Sequence, residues 1–276
     1  MKILKKKALW FTLYGIFITL LFLYLLFPSD IAKSSLEEAV NSSDFILKVG
    51  SLKPSLPFGF KMKNITLSSG YSGSSAVTFF QGDLLDAQFN PVNFFQKNKN
   101  IGLGGKAYGG KFSGHFKLAE FPRVYPPQEG NFKFENIDLG KYVFLKTLLG
   151  KEITGKAKGN GAYVLRNSAD GNFSGTISLL LAQGSYPLPE PFLGLNRIDF
   201  DRGEVKAQLE SGTIRLEKLR ISGQQIDCSL SGDILLADVL KNSQLNLKGE
   251  MIISDRKVRM NITIEGTLAN PSLRYI

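Results

Sequence analysis

Twenty consecutive residues without a charge, Ala8 to Phe27, follow a start that holds Lys2, Lys5, Lys6 and Lys7. At about 1.5 Å per residue, a helix of this length reaches across the roughly 30 Å hydrocarbon layer of a bilayer. The run lacks the polar stripe that a helix packed on a soluble core would carry. It also exceeds the apolar part of a cleaved signal peptide, usually about 7–15 residues. The segment Phe27-Pro28-Ser29-Asp30-Ile31-Ala32 is a poor cleavage site, because cleavage after Ala32 would put Asp30 at the −3 position. The sequence therefore predicts a retained transmembrane helix over 8–27. Lysines before the span and Asp30 after it place residues 1–7 in the cytoplasm and everything beyond Pro28 across the membrane. Lys5, Lys6, Lys7, Trp10 and Pro28 mark this topology, with Trp10 and Tyr14 near the cytoplasmic interface. No second apolar run of about 18 residues follows, so a single pass is expected.

That reading changes what the charge means. The chain of 276 residues carries a formal net charge of +10, which on its own points to nucleic acid or a membrane surface. The four leading lysines are a topology signal, and without them the remainder stands at +6, spread thinly. A mildly basic surface beside an anionic membrane accounts for it, and nucleic acid is not an expected partner. One His and one Cys exclude a Cys/His structural zinc site within a monomer and an internal disulfide framework. A hydrophobic fraction of 43% excludes a disordered chain.

Beyond the span, Pro28-Ser29-Asp30 stops one helix and starts another, with Ser29 or Asp30 as cap and Ile31, Leu36 and Val40 near one face. A juxtamembrane helix is expected over about 30–41, within a segment 28–44. From Phe45 the signal is strand after strand. A Pro-bearing loop is expected at 53–59, and strands at 45–50, 60–67, 76–80, 84–89, 101–108, 110–118, 131–139, 152–166, 171–183, 196–208, 212–222, 225–236, 243–253 and 256–266. Glycines 82, 110, 130, 171, 203, 212, 223 and 232 read as the turns between them. Two short helices are expected, at 91–96 and 139–149. The fold class is mainly β: one transmembrane helix, a juxtamembrane helix, then an extended curved antiparallel sheet over 45–276, an open barrel or groove.

An internal repeat supports the strands. Phe60-Lys61-Met62-Lys63-Asn64-Ile65-Thr66-Leu67 aligns without gaps to Phe132-Lys133-Phe134-Glu135-Asn136-Ile137-Asp138-Leu139, and Ile214–Ile221 has the same form. Apolar side chains occupy positions 1 and 3, then 6 and 8: Phe60, Met62, Ile65 and Leu67 in one copy, Phe132, Phe134, Ile137 and Leu139 in the other. A strand alternates sides every residue, so the change of phase implies a bulge, or a strand buried on one face and then the other.

The candidate chemical groups are weak. Gly102–Gly110 does not fit the G-x-x-x-x-G-K-[ST] phosphate loop. His115 shares a polar face with Lys111 and Lys117 and lacks a local carboxylate partner for base catalysis. Cys228 sits alone in an expected strand, as a buried or incidental thiol. Asp199, Asp201 and Glu204 flank an expected turn at Gly203, where a solvated turn outweighs a weak cation site. Asn64, Asn172 and Asn261 open glycosylation-type triplets of the kind that arise by chance. No active site, metal or cofactor is expected, and the chain reads as a non-enzyme.

The layout resembles the type II secretion system protein N family, in the broader form whose exported part is similar to AsmA-like proteins. The features that carry the likeness run in order. They are the basic start and span ending in Phe27-Pro28-Ser29-Asp30, the segment 52–67 with its Leu-Pro-Phe-Gly loop leading into a strand, the strand pairs of 212–223 and 231–247, and the close Gly266–Tyr275. The features of the inner-membrane pseudopilus and platform proteins are absent. The resemblance implies a bacterial inner-membrane protein with a periplasmic β domain. It would be a non-enzymatic component of the type II secretion system, with other secretion subunits and inner-membrane lipids as partners. The AsmA-like part implies an alternative, lipid binding or transfer on an apolar groove with an acyl chain as ligand. The family supplies no catalytic residues to carry over.

Overall fold

The computed structural model describes residues 2–41, 45–69, 77–90, 99–118, 127–167, 172–192, 195–253 and 258–275, leaving aside the side chains of 2–9, 16, 20, 23, 167, 172, 189, 190 and 192. Two helices lead: α1 (Lys2–Leu25) and α2 (Ser29–Val40). Then come β1 (Phe45–Ser55), β2 (Gly59–Ser69), β3 (Thr78–Phe89), β4 (Lys99–Ala107), β5 (Gly110–Leu118) and β6 (Glu129–Asp138). A 3-10 turn at Leu139–Lys141 and helix α3 (Val143–Leu149) precede β7 (Lys156–Asn167) and β8 (Asn172–Phe192). The chain ends with β9 (Leu195–Glu210), β10 (Thr213–Ser222), β11 (Ile226–Leu235), β12 (Gln244–Ile253), β13 (Val258–Thr267) and β14 (Pro271–Tyr275). All fourteen strands form one antiparallel sheet in strict sequence order, β1 to β14. The first and last strands do not pair, so the sheet is open and not a barrel. With neighbours about 4.8 Å apart, thirteen intervals span roughly 60 Å.

The mainly β reading and the antiparallel meander hold, with corrections. The segments 76–80 and 84–89 are not a pair but one strand, β3, that continues through Gly82 and Asp83. The strand β14 lies beyond the last expected strand, 256–266. Pro54 lies within β1, which runs to Ser55, so the loop shrinks to 56–58. β7 begins at Lys156 rather than 152. The expected 139–149 helix is a 3-10 turn and a separate helix, parted by Tyr142, and Gly150 closes it with φ +68°. Residues 91–96, the other expected short helix, lie outside the described residues.

Helix α2 forms where expected but differs in detail. Pro28 takes the N-cap position with no side-chain cap bond, so neither Ser29 nor Asp30 serves as cap. Ala32 and Leu36 face the sheet, whereas Ile31 is 68% exposed. Spacing of four residues, not five, keeps side chains on one face of a helix. Among the described residues no helix is long and apolar enough to cross a membrane. Helix α1 nevertheless holds a long apolar surface in the open, including Trp10, Phe11, Tyr14 and Phe17, all more than 60% exposed.

The two sheet edges are finished differently. Along β1, Glu37 accepts the backbone N–H of Val49 through Oε1 (2.7 Å) and Asn41 accepts that of Leu47 through Oδ1 (2.7 Å). Helix α2 thus occupies the hydrogen-bonding edge that would otherwise recruit another strand. All five residues of β14 are exposed.

Candidate functional site: an apolar inner face

Pairing register fixes which side chains share a face, because directly paired residues point the same way. One row crosses all fourteen strands: Pro54, Phe60, Ala87, Leu103, Gly114, Phe132, Gly161, Ile177, Ala207, Leu216, Gly232, Leu247, Ile264 and Leu273. Every member is apolar. The row one residue away, over the first ten strands, is Lys53, Lys61, Asp86, Gly104, Ser113, Lys133, Asn160, Ser178, Lys206 and Lys218. Followed strand by strand among the described residues, the first face carries a charge only at Lys99, the opening residue of β4. A sheet with one such face ordinarily buries it under a second layer. Here, among the described residues, the sheet has only α2 and α3 at its N-terminal end. Over most strands the inner side chains are half-buried or buried, largely by one another, while those of β14 are exposed.

The repeat residues lie on this face, and the phase change has a local cause. In β6 the register slips by one between Phe134 and Ile137, with Asn136 at φ +56°. In β10 it slips between Leu216 and Leu219. In β2, pairing breaks at Asn64, φ +52°, without a net shift. Asn tolerates the left-handed region better than most residues. Each irregularity turns positions 6 and 8 back to the side of positions 1 and 3, so Met62 and Ile65 join one buried cluster. Phe60, Leu67, Phe132, Phe134 and Ile137 are half-buried there, and Leu139 is buried.

Glycine has a second use here. Gly82, Gly130, Gly203 and Gly232 are strand residues, not turns, and Gly171 lies outside the described residues. A Cβ on Gly114 would stand 2.8 Å from the Phe116 ring, and one on Gly105 2.8 Å from the Phe112 ring. The glycines let rings lie flat on the sheet, and the rings in turn cover the glycine backbone. True turns remain at Tyr108-Gly109 and Ser211-Gly212, where both residues have positive φ, as a two-residue hairpin of type I′ needs.

Rings run on in two chains. Phe79 meets Phe45 (5.9 Å) and Phe144 of α3 (5.5 Å), and Tyr142 meets Tyr108 (5.0 Å). Helix α3 is thereby strapped from β6 back to β3. The backbone N–H of Gln81 donates to the Tyr108 hydroxyl (2.6 Å), whose pKa burial pushes up to about 12. Further along, Phe116, Tyr163 and Phe173 line up at 6.5 and 6.0 Å. Beside them a cavity of about 360 Å³ opens on the inner face, among Phe132, Tyr163, Phe173, Ile177, Leu209 and Ile214. Its size is that of a small-ligand site, and its walls are almost wholly apolar.

The polar candidates stand elsewhere. His115 is exposed on the outer face of β5. Asp199, Asp201 and Glu204 are strand residues of β9, because Gly203 does not turn the chain. Asp199 pairs with Arg197 (3.0 Å), and Glu204 with Lys218 (2.8 Å). Lysine contacts hold the Glu204 carboxyl below its usual range. Among the described residues no group of His, Cys, Asp or Glu could hold a metal ion. Cys228 is buried on the inner face, and burial pushes its thiol up to about 11. No family model, no curated protein and no solved structure matches the chain.

Proposed function

We propose that this chain is a non-enzymatic membrane-anchored envelope protein that shelters acyl chains on the inner face of its exported sheet. One observation carries the reading: a row of fourteen apolar residues crosses every strand, with the described residues supplying no second layer over most of it. Moving each CH₂ out of water contributes about 0.8 kcal/mol, so a face this wide gains from holding part of a chain. The anchor is the uncharged run of α1, whose exposed apolar side chains are matched to hydrocarbon rather than to water. Under this reading residues 1–7 are cytoplasmic and the sheet is periplasmic. Full-length protein purified in mild detergent should retain phospholipid in native mass spectrometry. Reproducible absence of lipid would overturn the proposal.

A second reading, a component of the type II secretion system, is favoured by one feature. Among the described residues β14 is exposed and has β13 as its one strand neighbour, which suits strand addition by a partner subunit. A host strain that lacks the gene and still exports all its secreted proteins would sink it.

A further inference from the structure

We propose that the β1–β2 hairpin tip, Leu56–Phe58, is a second membrane contact, seated in an anionic lipid interface beside the end of the anchor. The proposal rests on the anchor reading above and adds to it a site and an orientation.

Helix α2 runs antiparallel along β1: Asn41 reaches Leu47 and Glu37 reaches Val49. Its opposite end therefore lies toward the tip. Phe27, the last residue of the uncharged run, stacks on Phe60 at 5.5 Å, four residues past Leu56. The site where α1 leaves a bilayer is thus the site of the tip. At that tip Leu56 is 74% exposed and Phe58 48% exposed. Two large apolar side chains held in the open at a tight turn are what an interfacial wedge needs.

The flanks have the right charge. Lys53 pairs with Lys61 on the outer face behind the tip, and Lys48 and Lys63 follow, all exposed. Asp86 meets Lys61 only at 3.8 Å. Lysines beside apolar side chains suit an anionic lipid surface. The contact also gives lipid a route. Phe60 meets Phe89 edge to face (5.4 Å), the Phe89 backbone N–H donates to the Phe58 carbonyl (3.0 Å), and both rings belong to the inner face. An apolar path therefore leads from the lipid interface onto the sheet.

The test uses the whole chain in phosphatidylethanolamine and phosphatidylglycerol vesicles. Trp10 is the single tryptophan and reports the anchor directly. A Phe58→Cys variant in a Cys228→Ala background carries a polarity-sensitive fluorophore at the tip. The same label at Leu235→Cys, equally exposed but on β11, is the control. The proposal expects nitroxide lipids to quench the tip label at least five-fold more than the control, with Trp10 quenched as well. A tip label left in water while Trp10 is quenched overturns the tip contact and leaves the anchor standing. An unquenched Trp10 overturns both. Shielding that needs native membranes and is absent in pure lipid vesicles assigns the tip to a protein partner, which also overturns the proposal. The double variant Leu56→Asp/Phe58→Asp should retain several-fold less lipid per chain, with Trp10 quenching unchanged.

Discussion

The two halves of the sheet solve the same problem with different residues. From β3 to β8 the inner face sets glycines such as Gly82, Gly114 and Gly161 under Phe rings, among aliphatic residues. From β9 to β14 it is mostly Ile, Leu, Met and Val, and these pack into one cluster around Ile226 and Ile262, each 2% exposed or less, and another around Leu216 and Leu247. The aliphatic half is its own core. The aromatic half leaves most of its rings half-buried beside an apolar cavity, and among the described residues α2 and α3 pack at its N-terminal end. The contrast assigns ligand contact chiefly to the aromatic strands, and stability chiefly to the aliphatic half and to the buried cluster of β1–β3 around Val49, Leu52 and Ile65.

The largest expected effect tests that division. Ile262→Ala should cost about 2–5 kcal/mol, the range for emptying a buried aliphatic site. Phe173→Ala, in the aromatic half, should cost clearly less in urea unfolding of the detergent-solubilised chain, yet lower lipid retention more. Equal or reversed stability costs would break the comparison. The next test concerns the sealed edge. Glu37→Ala removes the acceptor for the Val49 N–H, whose residue is 2% exposed. A buried donor left unmade costs about 1–3 kcal/mol. Glu37→Gln keeps an acceptor and should restore most of the loss; if it does not, the edge is not sealed in this way.

These effects also show which parts of the fold were readable. Alternation along each strand exposed the inner face, since Phe112, Gly114 and Phe116 against Lys111, Ser113 and His115 is plain in the order of residues. The repeat showed that something interrupts that alternation, and the left-handed Asn64 and Asn136 are what interrupts it. Glycine misled, because Gly82 beneath the Phe80 ring and a glycine in a turn look alike until a cross-strand partner is known. That ambiguity split β3 in two. β14 was hidden because only pairing with β13 makes a strand of Pro271–Tyr275. The cavity between Phe132 and Ile214 joins residues far apart in sequence, and no local pattern announces it.

A third test probes the aliphatic core through its thiol. Cys228 is pushed from 9.0 to about 11 by burial, so the folded state holds its proton longer than the unfolded state does. Stability is therefore unaffected below pH 9 and falls as pH rises from 9 towards 11, by up to roughly 3 kcal/mol. Cys228→Ala should flatten that part of the stability–pH curve. A parallel curve would mean that the thiol is already open to water, and the aliphatic half would lose its claim to be the closed core.

The smallest effect belongs to the outer face of that same half. Arg259 of β13 reaches Glu250 of β12 through Nε (3.1 Å) and Nη2 (2.5 Å). These side chains are 68% and 47% exposed, so water screens the attraction and ordering two long side chains offsets much of it. Arg259→Ala should change stability by less than about 1 kcal/mol, and added salt should shrink even that. The neighbouring inner residue, Met260, is 8% exposed, and its truncation to Ala should cost several times more. If the two substitutions one residue apart cost the same, the sheet is not two-faced in energy as it is in sequence, and the case for an inner surface built to meet lipid fails at its most ordered end.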